Sequence, residues 1–208
     1  MANYFTDNKD ILFHFENLNI KEIVDLTEDG YKEIDKYNYA PKDYQDAIDN
    51  YHKVLEIVGD IAANVVAPNA ADVDLEGNYI DDNGKVIYAK GTQEALKKLA
   101  QAELMGFTLP RKYGGINFPT TIYTIAIEII SRADASLMNI FGLQDIAETI
   151  NKFGNEDQKK EFLPQFASGE ATGAMVLTEP DAGSDLQAVK LSAYEDETIP
   201  ANPGKYRL

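Results

Sequence analysis

The chain has 208 residues, of which 44% are hydrophobic and 10% aromatic. That is enough to bury a core in one large domain or two small ones, and it excludes a disordered composition. A net charge of −16 argues against a nucleic-acid or anionic-membrane surface, and the absence of cysteine excludes disulfides and thiolate metal sites.

The N-terminus, Met1-Ala-Asn-Tyr-Phe-Thr-Asp7, has neither a basic region nor an apolar one, so no signal peptide is read from it. No apolar run approaches the length of a membrane span. The simplest reading is a soluble protein of the cytoplasm.

Asp7 to Asn17 reads as a short helix capped by Asp7, with Ile11, Leu12 and Phe15 on one face. His14 lies among these apolar residues and reads as a packed core residue, not a ligand or base. A second short helix is expected over Ile20–Leu26, followed by a polar stretch from Tyr31 to Tyr39. Pro41 opens the first long helix, on which Ile48, Tyr51, Leu55, Val58 and Ala62 share a face. His52 reads as a solvated or edge histidine, and Pro68 is expected just past the end of this helix.

Asp72, Asp74, Glu76 and Gly77 imitate the first half of a calcium loop. The twelfth position falls at Asn83, which has no carboxylate. A hairpin explains more: Tyr79-Ile80 and Val86-Ile87-Tyr88 flank Asp82-Asn83-Gly84, and Asn-Gly is a strong turn signal.

The next helix begins at Gly91 or Thr92, buries Leu96, Leu99, Ala100 and Leu104, and is expected to end at Gly106. An extended run follows to Pro110, and Tyr113-Gly114-Gly115 supplies a tight turn. Pro119 opens an almost wholly apolar helix, Thr120–Arg132, which should be central. Ala135 to Phe153 continues as one or two helices, with Gly142 a break. Asn155 and Gln158 make a capping box for a helix from Glu156 to Leu163.

The apolar run Ala174–Leu177 reads as a short buried strand, stopped by Pro180. Asp181-Ala-Gly-Ser-Asp185 then forms a small polar loop with free backbone N–H groups. Leu191–Tyr194 is a second strand, Glu195–Gly204 an acidic loop, and Lys205–Leu208 the start of a third strand. A strand cut at its first residues implies a piece of a longer polypeptide.

Leu177-Thr-Glu-Pro-Asp-Ala-Gly-Ser-Asp185 resembles the flavin-loop signature of the acyl-CoA dehydrogenases. Phe162-Leu-Pro-Gln-Phe-Ala-Ser-Gly-Glu170 and Leu109-Pro-Arg-Lys-Tyr-Gly-Gly115 resemble family segments upstream, in the same order and at similar spacing. The resemblance covers Tyr44 to Leu208, and more loosely the first forty residues. It implies a mainly α fold: an N-terminal extension over 1–40, a helical N-terminal domain over 41–170, and over 171–208 the first strands of a truncated middle β-barrel domain.

The family removes the α-proton and the β-hydride of an acyl-CoA thioester, giving the 2,3-enoyl-CoA, with FAD as hydride acceptor and a carboxylate as base. By resemblance, Met175, Val176, Leu177 and Thr178 bind the flavin. Leu177 through its backbone, and Thr178 through hydroxyl and backbone, hydrogen-bond the pyrimidine edge of the ring. Gly183 and Ser184 contact the substrate, and Glu179 and Asp185 fix the loop. Leu137, Phe141 and Leu143 border the family's acyl cavity, although core packing is the better reading of each. The base glutamate lies in a C-terminal domain beyond Leu208, so no catalytic residue and no metal ligand is assigned here, and the 208 residues alone are expected to be inactive.

The long N-terminal lead fits the larger subgroup that includes the methylthiopropanoyl-CoA dehydrogenases. The resemblance further implies electron-transferring flavoprotein as acceptor and a homo-oligomer. Two alternatives stand beside it: a flavin-dependent acyl-CoA oxidase-like or nitroalkane-oxidase-like relative, and a non-enzymatic helical module binding calcium or a protein partner.

Overall fold

The computed structural model describes residues 2–192 and the backbone of two short strands, Tyr194–Glu195 and Tyr206–Arg207. The chain divides into two compact units, Met1–Ala174 and Met175–Leu208. The first is helical, with elements α1 (Lys9–Asn17), α2 (Lys21–Thr27), α3 (Tyr44–Ile61), α4 (Ala67–Glu76), α5 (Lys90–Gln101), α6 (Thr120–Ala133), α7 (Ala135–Gly142), α8 (Ile146–Phe153) and α9 (Glu156–Ser168). A hairpin of β1 (Tyr79–Ile80) and β2 (Val86–Ile87) joins α4 to α5.

Helix α1 is capped by Asn8, not Asp7: the Asn8 side chain accepts from the amides of Asp10 and Ile11, while Asp7 accepts from the amide of Asn3. Ile11 and Phe15 turn inward and leave His14 exposed, which corrects its reading as a core residue. His52 is the histidine that meets the aromatic core, edge-on to Phe5 and Phe15.

Helix α3 does not stop before Pro68. Residues Ala62–Val66 form a π-turn, in which the Ala67 amide donates to the Ala62 carbonyl, and helix resumes through Pro68 to Glu76. The wide turn gives the proline ring room, and Asn69 Nδ2 donates to the Val65 carbonyl. The combined run Tyr44–Glu76 is 33 residues and, contrary to the sequence reading, long and apolar enough by length and composition to cross a membrane. Its inward residues Ala47, Tyr51, Leu55, Val58, Ala62 and Val66 are buried in the bundle, so one face of the run is part of the core.

That continuation also removes the calcium-loop alternative, because Asp72, Asp74 and Glu76 stand on helix α4 instead of winding round an ion. The hairpin pairs Tyr79 with Ile87 and Ile80 with Val86, and Gly84 takes φ +78° in its turn. Asp81 accepts from the amides of Asn83 and Lys85. The Lys85 amide, and then Asn83, hold its carboxyl below the usual carboxylate range. A carboxyl lowered by folding contributes above its unfolded value of about 3.9 and loses that contribution as pH falls through the lower folded value. The Asn83 and Lys85 amide resonances should therefore shift together with a midpoint below 3.9, and should not do so in Asp81→Asn.

Helix α5 ends at Gln101, before Gly106. Glu103 takes the left-handed conformation at φ +59° and the Leu104 amide returns to the Leu99 carbonyl. Gly106 serves close packing instead: a Cβ there would come within 2.8 Å of the Ala167 Cβ. Helix α6 is central, with Ile122, Tyr123, Ile125, Ala126, Ile129 and Ile130 buried. Helix α7 ends at Gly142, and the capping box of Asn155 and Gln158 opens α9. Helix α9 runs past Leu163 to Ser168, through Pro164. Pro164 and Lys160 are both exposed, so the carbonyl that loses its amide partner belongs to a solvent-facing residue.

Where the first unit ends and the second begins, Ala174–Leu177 is not a buried strand. It is irregular, and Met175 and Val176 are 60% and 90% exposed. Among the described residues no strand pairs with it, and without a ladder partner an apolar run has nothing to bury against. Strand β3 (Tyr194–Glu195) pairs antiparallel with β4 (Tyr206–Arg207), so the expected strand begins later than Leu191. The loop expected between them lies outside the described residues.

Candidate functional site

In the signature segment, the Glu179 amide donates to the Ala182 carbonyl at 2.8 Å and the Ala182 amide returns to Glu179 at 3.2 Å. Pro180 therefore does more than stop a run; it occupies the second position of a closed four-residue turn. The Glu179 carboxylate accepts from the amides of Lys190 (2.9 Å) and Leu191 (2.8 Å), and Asp185 accepts from the Gln187 amide at 3.1 Å. Both carboxylates, expected to fix the loop, make those bonds.

This brace presents Thr178 and Ser184, both exposed. The Thr178 methyl lies 3.5 Å from where a Cβ on Gly183 would stand, so Thr178 and Gly183 are neighbours. Among the described residues, no hydrogen bond engages the backbone amides of Met175, Val176, Leu177 or Thr178. Free amide donors beside an exposed hydroxyl fit the edge of a planar, electron-rich ring such as a flavin. Leu177 and Thr178 are the residues that would hold it. Met175 and Val176 offer only exposed apolar side chains.

Within the helical unit, Leu137 and Phe141 are buried in the main core, and Leu143 is half-buried. Phe141 packs on Tyr123, whose hydroxyl donates to the carbonyls of Phe141 and Gly142. Burial pushes that hydroxyl's pKa up. The first two residues are thus core.

Two features escaped sequence reading. Gln144, buried, donates to the carbonyls of Phe166 and Ala171 and accepts from the Gly173 amide, tying down the chain where it leaves the helical unit. Arg111, in the Leu109–Gly115 segment, makes a two-pronged ion pair with Glu28 at 2.8 and 2.9 Å and reaches Glu33 at 3.1 Å. The side chains of Arg111 and Glu28 are each 1% exposed. Burial opposes the Arg111 charge, yet the Glu28 and Glu33 carboxylates outweigh it and raise the pKa. Just after Glu28, Asp29, Gly30 and Tyr31 all take positive φ, a conformation that costs a non-glycine residue about 1–2 kcal/mol. The only signal for either feature was an arginine in a recognised segment, and that does not name its partner.

The family model described as "Acyl-CoA dehydrogenase, N-terminal domain" matches residues 49–170. The chain is 34% identical over 145 residues to a probable acyl-CoA dehydrogenase of Bacillus subtilis (strain 168), covering 69% of this chain and 35% of that protein. It is 28% identical over 205 residues to the 3-methylmercaptopropionyl-CoA dehydrogenase of Ruegeria pomeroyi, covering 96% of this chain and 31% of that one. The solved acyl-CoA dehydrogenase of Bacillus anthracis complexed with FAD superposes with TM-score 0.57 and 28% identity, over 70% of this chain and 23% of that one. The chain spans about a third of the length of such curated relatives. The match of fold and sequence through the helical unit is decisive: the chain belongs to the acyl-CoA dehydrogenase family and carries its N-terminal domain.

Proposed function

We propose that this chain is the N-terminal part of an FAD-dependent enzyme that oxidises an acyl-CoA thioester to the 2,3-enoyl-CoA, and that it is inactive by itself. The observation that carries this reading is the braced loop that leaves the Leu177 and Thr178 amides and the Thr178 hydroxyl open to a ligand. FAD, when bound, would supply the hydride acceptor. The part of this chain is to bind and orient: Leu177 and Thr178 donate to the ring edge, where preformed donors favour negative charge. Gly183 and Ser184 face the thioester side. The α-proton is taken by a carboxylate outside these residues. Electron-transferring flavoprotein as electron acceptor, a homo-oligomeric assembly and a place in the cytoplasm complete the proposal, on family resemblance.

The test uses the full-length protein. It should purify yellow, or become so with added FAD, and its flavin absorbance should bleach anaerobically with an acyl-CoA it accepts. A folded full-length protein that stays colourless in saturating FAD would overturn the reading. Thr178→Val should weaken FAD binding by about 3- to 10-fold, the worth of one neutral hydrogen bond.

A further inference from the structure

The first 48 residues lie outside the stretch matched by the family model. They are nonetheless built into the helical unit. Phe5, Ile11, Phe15, Ile20 and Val24 belong to the main apolar cluster with α3 and α6. A second cluster gathers Leu109, Tyr113, Ala147, Leu163, Phe166 and Ala167. Arg111 sits in sequence between Leu109 and Tyr113, and Glu28 stands one helical turn after Val24. The Glu28–Arg111 pair therefore ties the N-terminal segment, anchored in the first cluster, to the turn that belongs to the second. The Arg111–Glu33 contact belongs to the same cluster and makes the same link, and among the described residues every remaining ion pair joins positions three or four apart.

Neighbouring bonds tie the same two segments. Asn117 Nδ2 donates to the Thr27 carbonyl at 3.1 Å, and the Tyr39 hydroxyl reaches the Gly115 carbonyl at 3.4 Å. The left-handed residues Asp29 and Tyr31 follow directly, and such a backbone at a non-glycine residue persists only where its surroundings over-determine it. On the far side, the second cluster includes α9, whose Phe166 carbonyl and following Ala171 carbonyl are held by Gln144.

We propose that Glu28 is a positioning residue: acting through Arg111, the N-terminal segment fixes the 110–117 turn and, through the second cluster, the exit of the chain at Ala171–Gly173. The coupling is a property of the polypeptide and is read without flavin, so its failure leaves the proposed function standing. A coupling free energy is reciprocal, so loosening one end must loosen the other.

The experiment is amide hydrogen exchange on the apo protein, wild type against Glu28→Gln. Exchange should rise about tenfold or more in three regions, residues 20–40, 111–118 and 163–173, with helices α3 and α6 unchanged. Acceleration confined to residues 20–40 would overturn the proposal, because the pair would then hold only its own segment. A uniform rise across the unit would overturn it too, because the pair would then be a general stabiliser. Should Glu28→Gln fail to fold, Glu33→Gln, which spares the two-pronged pair, is read in the same regions against the same criteria, with a smaller rise expected.

Discussion

Arg111→Met should destabilise the helical unit by about 3–5 kcal/mol in urea unfolding, while the double variant Glu28→Met, Arg111→Met should recover most of that loss. The asymmetry follows from burial. With both side chains 1% exposed, removing the guanidinium leaves a carboxylate with neither water nor counter-ion. Removing both charges at once leaves an apolar contact of similar volume. Among the described residues Arg111 Nε has no hydrogen-bond partner, so the cluster is not fully satisfied within them, and this favours recovery in the apolar pair. A double variant as unstable as Arg111→Met would show that the pair contributes net stability beyond avoiding an orphaned charge.

Phe141→Ala should cost about 3–5 kcal/mol, measured by the same denaturation. Phe141 is wholly buried, packs on Tyr123 with ring centroids 5.6 Å apart, and sits where the Tyr123 hydroxyl donates to its carbonyl. Truncation removes the ring and leaves a cavity that α6, buried along its length, closes poorly. Leu143→Ala, at the half-buried position that opens the 3-10 turn Leu143–Asp145, should cost well under half as much. A Phe141→Ala protein with unchanged stability would overturn the reading of Phe141 as a core residue.

What the sequence made legible was local. The capping box of Asn155 and Gln158 sits three residues apart, and the Asn83-Gly84 turn lies between two short apolar pairs, so each is settled by its neighbours. The central helix at Thr120 declares itself through an apolar run too long for a strand. Pro68 and Pro164 misled because the cost of proline in a helix depends on what relieves it, a π-turn in one case and an exposed carbonyl in the other. The Glu28–Arg111 pair was illegible because 83 residues separate its members, and nothing local selects one carboxylate among 35 acidic residues. The strand read into Ala174–Leu177 failed for a related reason: a strand is defined by its partner, and none stands beside it among the described residues. In the signature loop, residue types hinted at an open, donor-rich turn. The bonds from Lys190 and Leu191 back to Glu179 needed three dimensions.

The wide turn at Ala62–Val66 also determines what a change in length costs this polypeptide. It already houses one residue more than an ordinary helical turn would. A single deletion there would draw the backbone into regular winding and press the Pro68 ring against the carbonyl of its predecessor four places back. The same deletion further upstream, in Tyr44–Ile61, would swing every inward side chain before it by about 100°. This helical run holds its extra residue at Ala62–Val66, and the proline next to it guards against its removal.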